Sequence, residues 1–326
     1  MKYSAMAFET FGAPDVFSKM DLSLPKPNNS QVIVQVEASS VNFADVMARR
    51  GNYPASGPPY VTGVDFVGRV IEAVSDSGLA LVGKRVLGFG DTGSYATLVL
   101  ANIDLIFEIP EEMPLDTAAA CPLLTATTYA LLGRNQGLQP GDNLVIHAAG
   151  GGIGLTAIQM ARQLGAATIF ALVSSRAKAS AVLNQGATHV VVTNETPNYP
   201  EIIRSQIPEG VELILNSVAG DTIQQDLEIL KPGGQIVVFG MASGKPGVAK
   251  SDQLHHSSRT LSGFSYGYLR RTNPEAARKI MEQALPFVTS GIITFDEVTR
   301  YSLWDVAQAH RDLESRTTIG KLILVP

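Results

Sequence analysis

Between Leu144 and Ala166 the chain reads LVIHAAGGGIGLTAIQMARQLGA. An apolar run meets four glycines within the five residues Gly150–Gly154 and leaves as an amphipathic helical pattern. Missing side chains at such a corner let the backbone approach a bound anion. The helix that follows offers unpaired N–H groups and the positive end of its dipole. The segment Ala149-Gly150-Gly151-Gly152-Ile153-Gly154 is a G-x-G-x-x-G pattern with alanine at the first place. A tight turn that binds nothing would look alike, so the flanking pattern has to decide between the two.

The flanks favour a phosphate site. Downstream, the apolar runs NLVIHA, TIFALVSS, THVVV, VELILNSV and QIVVFG alternate with amphipathic segments such as LTAIQMARQLGA and AKASAVLNQGA. Continuous apolar strands separated by helices indicate a parallel sheet covered on both faces. TLSGFS (Thr260–Ser265) would be its sixth strand. A glycine corner after the first strand of such a unit is where a dinucleotide's pyrophosphate sits.

The first third has another texture. QVIVQVEASSV alternates and is rich in valine, and DFVGRVIEAV and GKRVLGFG are short β-branched segments cut by glycine, as in a small barrel-like domain. After the sheet, NPEAARKIMEQALPFVTSG reads as a helix with Asn273 as N-cap and Pro274 at its first turn. The last strand, Ile319–Val325, resembles those of the first domain. The fold class is therefore α/β, in two domains, as the length of 326 residues suggests.

Composition narrows the function classes. Lysine and arginine number 25 against 30 acidic residues, a formal charge of −5, which argues against broad nucleic-acid binding. The lone Cys121 excludes an intramolecular disulfide and thiolate zinc sites, and it reads as a small buried hydrophobe. No signal-type N-terminus or membrane-length apolar run is evident, so a soluble cytoplasmic protein without membrane partners is expected. His147, His189, His255, His256 and His310 are scattered without ligand spacing. His147 is expected to pack near a strand end, and the His255-His256 and Arg270-Arg271 pairs to be solvated.

Which dinucleotide binds depends on the end of the second strand. About 20 residues beyond the glycines, NAD enzymes place an acid on the ribose 2′-hydroxyl. Here that place holds Ser174, Ser175, Arg176 and Lys178, hydroxyls and two cations that suit a 2′-phosphate. NADP(H) is the cofactor expected.

The chain resembles the zinc-independent medium-chain dehydrogenases/reductases, in particular the quinone oxidoreductase (zeta-crystallin-like) branch. VNFADVMARRGNYP, TGVDFVGRVIEAV, GKRVLGFG…GSYA, AAACPLLTATTYALL, HAAGGGIGLTAIQMARQLGA, NSVAG, LKPGGQIVVFG and LESRTTIGKLILVP carry the resemblance, over nearly the whole chain. It implies a GroES-like catalytic domain from residues 1–125 and 267–326. A Rossmann cofactor domain, 126–266, would be inserted, with the active site in the cleft. Zinc-dependent relatives have cysteine where this chain has Asn42, and His-Glu where it has Val64-Asp65, so the resemblance implies chemistry without metal.

By the same resemblance, Asn42 is expected near the nicotinamide ribose and Thr127 beside the nicotinamide. The pyrophosphate belongs to Gly151, Gly152, Ile153 and Gly154. Asn216 would contact the cofactor at the end of the fourth strand. Phe239, Gly240 and Met241 would present backbone groups to the carboxamide, and Arg316 would reach the adenosine phosphate. Tyr53 is the candidate catalytic residue at the substrate mouth, although a loop anchor would look the same. Asp45 reads as a helix-capping or salt-bridging acid. Val46 and Met47 replace the Thr-Tyr of many relatives and suggest a more apolar cleft wall, and Asn194 stands where some relatives have an adenine-side tyrosine.

With no metal and no catalytic triad, the acceptor has to be intrinsically electrophilic. The expected activity is NADPH-dependent reduction of a quinone. The alternatives are reduction of an alkenal, enone or enoyl thioester, and a non-catalytic NADPH-binding, crystallin-like role. A homodimer is expected through the sixth-strand edge.

Overall fold

The computed structural model describes residues 1–53 and 57–326 and divides into two compact units. One comprises Met1–Leu124, Leu269–Thr289 and Thr294–Pro326; the other comprises Thr125–Tyr268 and Ser290–Ile293.

The first unit opens with β1 (Lys2–Phe8), β2 (Ser18–Ser23), β3 (Gln31–Val41), β4 (Tyr60–Val61), β5 (Asp65–Ala73), β6 (Arg85–Gly90) and β7 (Leu98–Glu108). β3 pairs antiparallel with β5 and also with β7, so that β3, β5, β6 and β7 close on themselves. Its alternating valines explain this. Val32, Val34 and Val36 turn inward onto Phe66, Val70, Val86, Val99 and Ile106, as the two-residue strand period requires. Gly68 of β5 and Gly88 of β6 are tight points: a Cβ would lie 2.1 Å from the Gln35 carbonyl oxygen at one and 2.4 Å from that of Leu105 at the other. Only glycine lets the strands approach so closely.

The second unit contains β8 (Asn143–Ile146), β9 (Thr168–Val173), β10 (His189–Val192), β11 (Val211–Asn216), β12 (Leu230–Val238) and β13 (Thr260–Gly263). All are parallel, in the order β10-β9-β8-β11-β12-β13. Numbered within the sheet this is 3-2-1-4-5-6, the doubly wound dinucleotide fold whose strand order reverses beside its first strand. β13 is the sixth strand expected from TLSGFS.

The chain then contributes the Pro274–Thr289 helix to the first unit, with Asn273 Oδ1 accepting the Ala276 N–H at 3.0 Å. It ends in β14 (Val298–Ser302), the Val306–Glu314 helix and β15 (Lys321–Val325). β15 pairs with β3 through Leu322 opposite Val41, so the tail completes the sheet that the N-terminal strands began. Arg270 departs from the solvated position expected of it. Its guanidinium carbon lies 5.5 Å from the centre of the Phe89 ring, whose face attracts a cation, whereas Arg271 is exposed.

Candidate functional site

The glycine corner sits where β8 meets the Gly152–Gln163 helix, with Gly151 as N-cap. Gly151 has no side chain to cap that end, which leaves the first-turn N–H groups for an anion. Gly154 is fixed by packing: a Cβ there would fall 2.4 Å from the Ala149 oxygen and 2.5 Å from its Cα. At Gly151 a Cβ would meet only the Ala148 oxygen, at 3.4 Å, so packing does not demand a glycine there. The stem of Lys178 lies against Gly150, where a Cβ would come 2.9 Å from Lys178 Cδ. Tertiary packing thus brings a cation, separated by a helix, a strand and a turn, onto the glycine corner. Partial burial lowers the Lys178 pKa.

Ser174 and Ser175 follow β9 half-buried, and Arg176 is exposed. The Arg176 guanidinium is engaged by Glu195: Nε donates to Oε1 at 2.9 Å and to Oε2 at 2.7 Å.

Asn216 ends β11, but its side chain is wholly buried and its hydrogen-bonding capacity is used within the fold. Oδ1 accepts the N–H groups of Val218 and Ala219, both at 2.8 Å. Nδ2 donates to Thr222 Oγ1 at 2.9 Å and to Asp226 Oδ2 at 2.6 Å. An amide group offers two donors and two acceptor sites, and all four are taken. The structure therefore gives Asn216 an organising role in the 217–219 turn, and its side chain has nothing left for a ligand. Asp226 also pairs with His147 Nε2 at 2.8 Å and with the Tyr199 hydroxyl at 2.7 Å, which anchors His147 at its strand end.

The segment after β12 is laced onto the same turn. Phe239 N–H donates to the Asn216 carbonyl at 2.9 Å, Ala242 to Ser217 at 3.0 Å and Ser243 to Val218 at 3.0 Å. Asn216, Phe239, Gly240 and Met241, separate in sequence, become one ledge. Thr127 lies in the Leu115–Leu132 helix, nearly buried.

In the first unit, Asn42 caps the Phe43–Arg49 helix, with its N–H donating to Asp45 Oδ2 at 2.9 Å. Its side chain is held between opposite charges. Lys321 Nζ donates to Oδ1, and Nδ2 donates to Asp65 Oδ1 at 2.9 Å and to Ser40 Oγ at 3.1 Å. Asn42, Asp45, Asp65 and Lys321 are all buried. Burial lowers the Lys321 pKa against the pull of Asp65 and Asp45. Burial pushes Asp45 up to about 6, opposed by the Asn42 N–H and reinforced by Asp65. Asp45 is thus the cap its position suggested, and it also accepts the Gly63 N–H at 3.1 Å.

Behind Asp45 runs a buried relay. Arg49 Nη1 lies 3.1 Å from His310 Nδ1, and His310 Nε2 lies 3.2 Å from the Tyr95 hydroxyl. Arginine only donates, so Nδ1 accepts, Nε2–H donates to Tyr95, and Tyr95 donates on to Asp45. Burial and the Arg49 charge hold His310 down at about 3. Of the remaining residues, Tyr53 is 49% exposed, as a surface contact requires. Arg316 is exposed, in a left-handed backbone conformation with φ of 61°. Val46 does not form a surface wall: it is completely buried, and only Met47 of that pair is partly exposed.

Residues 28–111 match the alcohol dehydrogenase GroES-like domain and residues 152–284 the zinc-binding dehydrogenase family. A quinone oxidoreductase of Salmonella typhimurium is 30% identical over 328 residues, covering 98% of this chain and 98% of the relative. The crystal structure of Escherichia coli quinone oxidoreductase complexed with NADPH is 28% identical, with a TM-score of 0.87 over 99% of this chain and 100% of that one. A 2-haloacrylate reductase structure is 27% identical, with a TM-score of 0.85 over 99% of each chain. The chain belongs to the quinone oxidoreductase family of the medium-chain dehydrogenases/reductases.

For a member of that family, the sequence reading missed three contributors. Glu195 follows β10, one strand over from the β9 end where a ribose-binding acid would stand. Lys321 lies in the LESRTTIGKLILVP stretch, where nothing local marks it as buried. His310 belongs to no spacing pattern, and only the fold sets it between Arg49 and Tyr95. Among the described residues, no group of three or more His, Cys, Asp or Glu could hold a metal ion, and no helix is long and apolar enough to cross a membrane.

Proposed function

We propose that the chain is an NADPH-dependent quinone oxidoreductase that works without a metal. Its cofactor is NADP(H). The observation that carries the reading is the uncapped helix start at Gly151, with Lys178 drawn across Gly150 and the Asn216–Met241 ledge on the same sheet.

Gly151, Gly152, Ile153 and Gly154 hold the pyrophosphate by backbone N–H groups. Ser174, Ser175, Arg176 and Lys178 take the 2′-phosphate, and Arg316 adds a further phosphate contact. Phe239, Gly240 and Met241 offer backbone groups to the carboxamide, and Thr127 lies beside the nicotinamide. Asn216 keeps the ledge in shape. Asn42 accepts a ribose hydroxyl through the lone pair of Oδ1 that Lys321 leaves over. When bound, NADPH supplies the hydride.

Tyr53 is the candidate contact for the acceptor, orienting it and steadying the developing oxyanion by hydrogen bonding. The buried ammonium of Lys321 between Asn42 and the Asp65 side supports a mechanism in which no metal occupies that place. A quinone needs no Lewis acid, because its carbonyls are already activated. The outer edge of β13 supports a homodimer formed by pairing two such edges, which a solution mass of two chains would verify.

The second reading, reduction of an alkenal or enone, draws support from the likeness to 2-haloacrylate reductase. Purified protein offered NADPH with a simple para-quinone or a short-chain enal separates the two. Faster turnover of the quinone is expected. Preference for the enal would move the assignment to the second reading, and binding of NADPH with neither acceptor reduced would leave a non-catalytic role.

A further inference from the structure

The second strand of a dinucleotide fold ends in an acid when the cofactor is NAD, and here it ends in Ser174–Lys178 without one. The structure supplies an acid from the neighbouring strand instead. β9 and β10 run parallel with Val173 opposite Val192, and the Thr193 N–H donates to the Val173 carbonyl at 2.8 Å. The segments that leave the two strands therefore start side by side.

Beyond Thr193 the chain folds back at once: the N–H groups of Glu195 and Thr196 both donate to the Val192 carbonyl, at 3.0 and 2.9 Å. That turn fixes where Glu195 starts, and its carboxylate reaches Arg176, with Nη2 to Oε2 at 2.7 Å beside the two Nε contacts. Arg176 is 81% exposed and Glu195 44%, so neither is held by packing.

We propose that Glu195 sets the preference between NADPH and NADH, by keeping a negative charge on Arg176 at the place assigned to the 2′-phosphate. The inference rests on that assignment. A 2′-phosphate carries close to two negative charges, and any phosphate gripped by Arg176 lies within a Debye length of Glu195, about 8 Å at physiological salt. The carboxylate repels it and neutralises part of the cation meant to bind it. The 2′-hydroxyl of NADH is uncharged and can donate to a carboxylate. Glu195 therefore works against NADPH and leaves NADH unharmed.

The test compares kcat/KM for NADPH and for NADH with one acceptor, together with dissociation constants from reduced-cofactor fluorescence, in the full chain and in the Glu195→Gln and Arg176→Ala variants. Glutamine keeps the shape and still accepts from arginine, and both sites are exposed, so folding is preserved. Glu195→Gln should raise the NADPH/NADH ratio about three- to fivefold through tighter NADPH binding, an effect that fades with added salt. Arg176→Ala should weaken NADPH and leave NADH unchanged. If Arg176→Ala changes neither cofactor, the 2′-phosphate assignment falls and the inference with it. If Arg176→Ala acts as expected while Glu195→Gln leaves the ratio unchanged or lowers it, the inference alone is overturned.

Discussion

Lys321 donates to the side-chain oxygen of Asn42 from 279 positions further along the chain. The same amide donates to Asp65, so a buried cation fixes one end of Asn42 and a buried anion the other. A flipped amide would turn NH₂ toward an ammonium and oxygen toward a carboxylate. Electrostatics therefore sets the orientation of the group proposed to meet the cofactor ribose.

Lys321→Met should cost about 3–5 kcal/mol of unfolding free energy, because Asp65 is left buried without its compensating cation. The double variant Lys321→Met/Asp65→Asn should recover most of that stability in urea unfolding, yet still bind NADPH more weakly, since the two opposite charges that orient the Asn42 amide are then gone. Full recovery of binding in the double variant would show that the clamp does not serve the cofactor.

Two glycines of the same corner should respond differently. Gly154→Ala drives a methyl group into the Ala149 backbone and should lose about 1–3 kcal/mol of stability along with cofactor binding. Gly151→Ala meets an ordinary contact, so its stability should change by less than about 1 kcal/mol. If the pyrophosphate approaches that backbone, NADPH affinity should nevertheless fall at least about tenfold. Thermal unfolding and fluorescence titration measure the two effects separately.

Removing the Asn216 amide should be expensive. Asn216→Ala leaves the Val218 and Ala219 N–H groups unpaired and takes a donor from Asp226, a loss of about 2–4 kcal/mol. Amide exchange at residues 217–219 and 242–243 should quicken together, since the second segment hangs on the first. Faster exchange at 217–219 alone would mean the ledge is held by other contacts.

Acid stability should depend on His310. Its folded pKa of about 3 lies below the unfolded value of about 6.5, so its contribution is present above pH 6.5 and is lost as pH falls toward 3. Asp45 has the opposite sign. Its pKa is raised to about 6, so its contribution is present below the ordinary aspartate value and is lost as pH rises through 6. Between pH 6 and 4 the two oppose each other. His310→Gln keeps an acceptor for Arg49 and a donor for Tyr95 but does not titrate. Relative to pH 7, the variant should therefore be favoured over the parent by about 2 kcal/mol at pH 5, read from urea midpoints at the two pH values. Equal pH dependence of the two proteins would show that the fold does not lower the His310 pKa.

Local periodicity alone carried much of the architecture. Continuous apolar strands alternating with amphipathic helices required a covered parallel sheet, and the glycines of Gly150–Gly154 marked its first corner. The valines of Gln31–Val41 made a half-buried strand, and the Asn273-Pro274 pair began a helix. Each of these is decided by neighbours within a few residues. The place of Gly154 at the start of the helix after β8 followed from the same local pattern.

The pairings between distant residues came from the folded arrangement. Glu195 reaches Arg176 because parallel strands bring successive loops to one edge of the sheet, a relation that counting from the glycines along a single strand cannot see. Asn216 turned inward because Asp226, Thr222 and two N–H groups needed its amide more than solvent did. Lys321 became a buried clamp because β15 returns to β3 and carries its first residue beside Asn42. Arg270 left solvent for the face of Phe89. In each case a charge or an amide was settled by partners far away in sequence, since a buried polar group has to find them wherever the fold provides them.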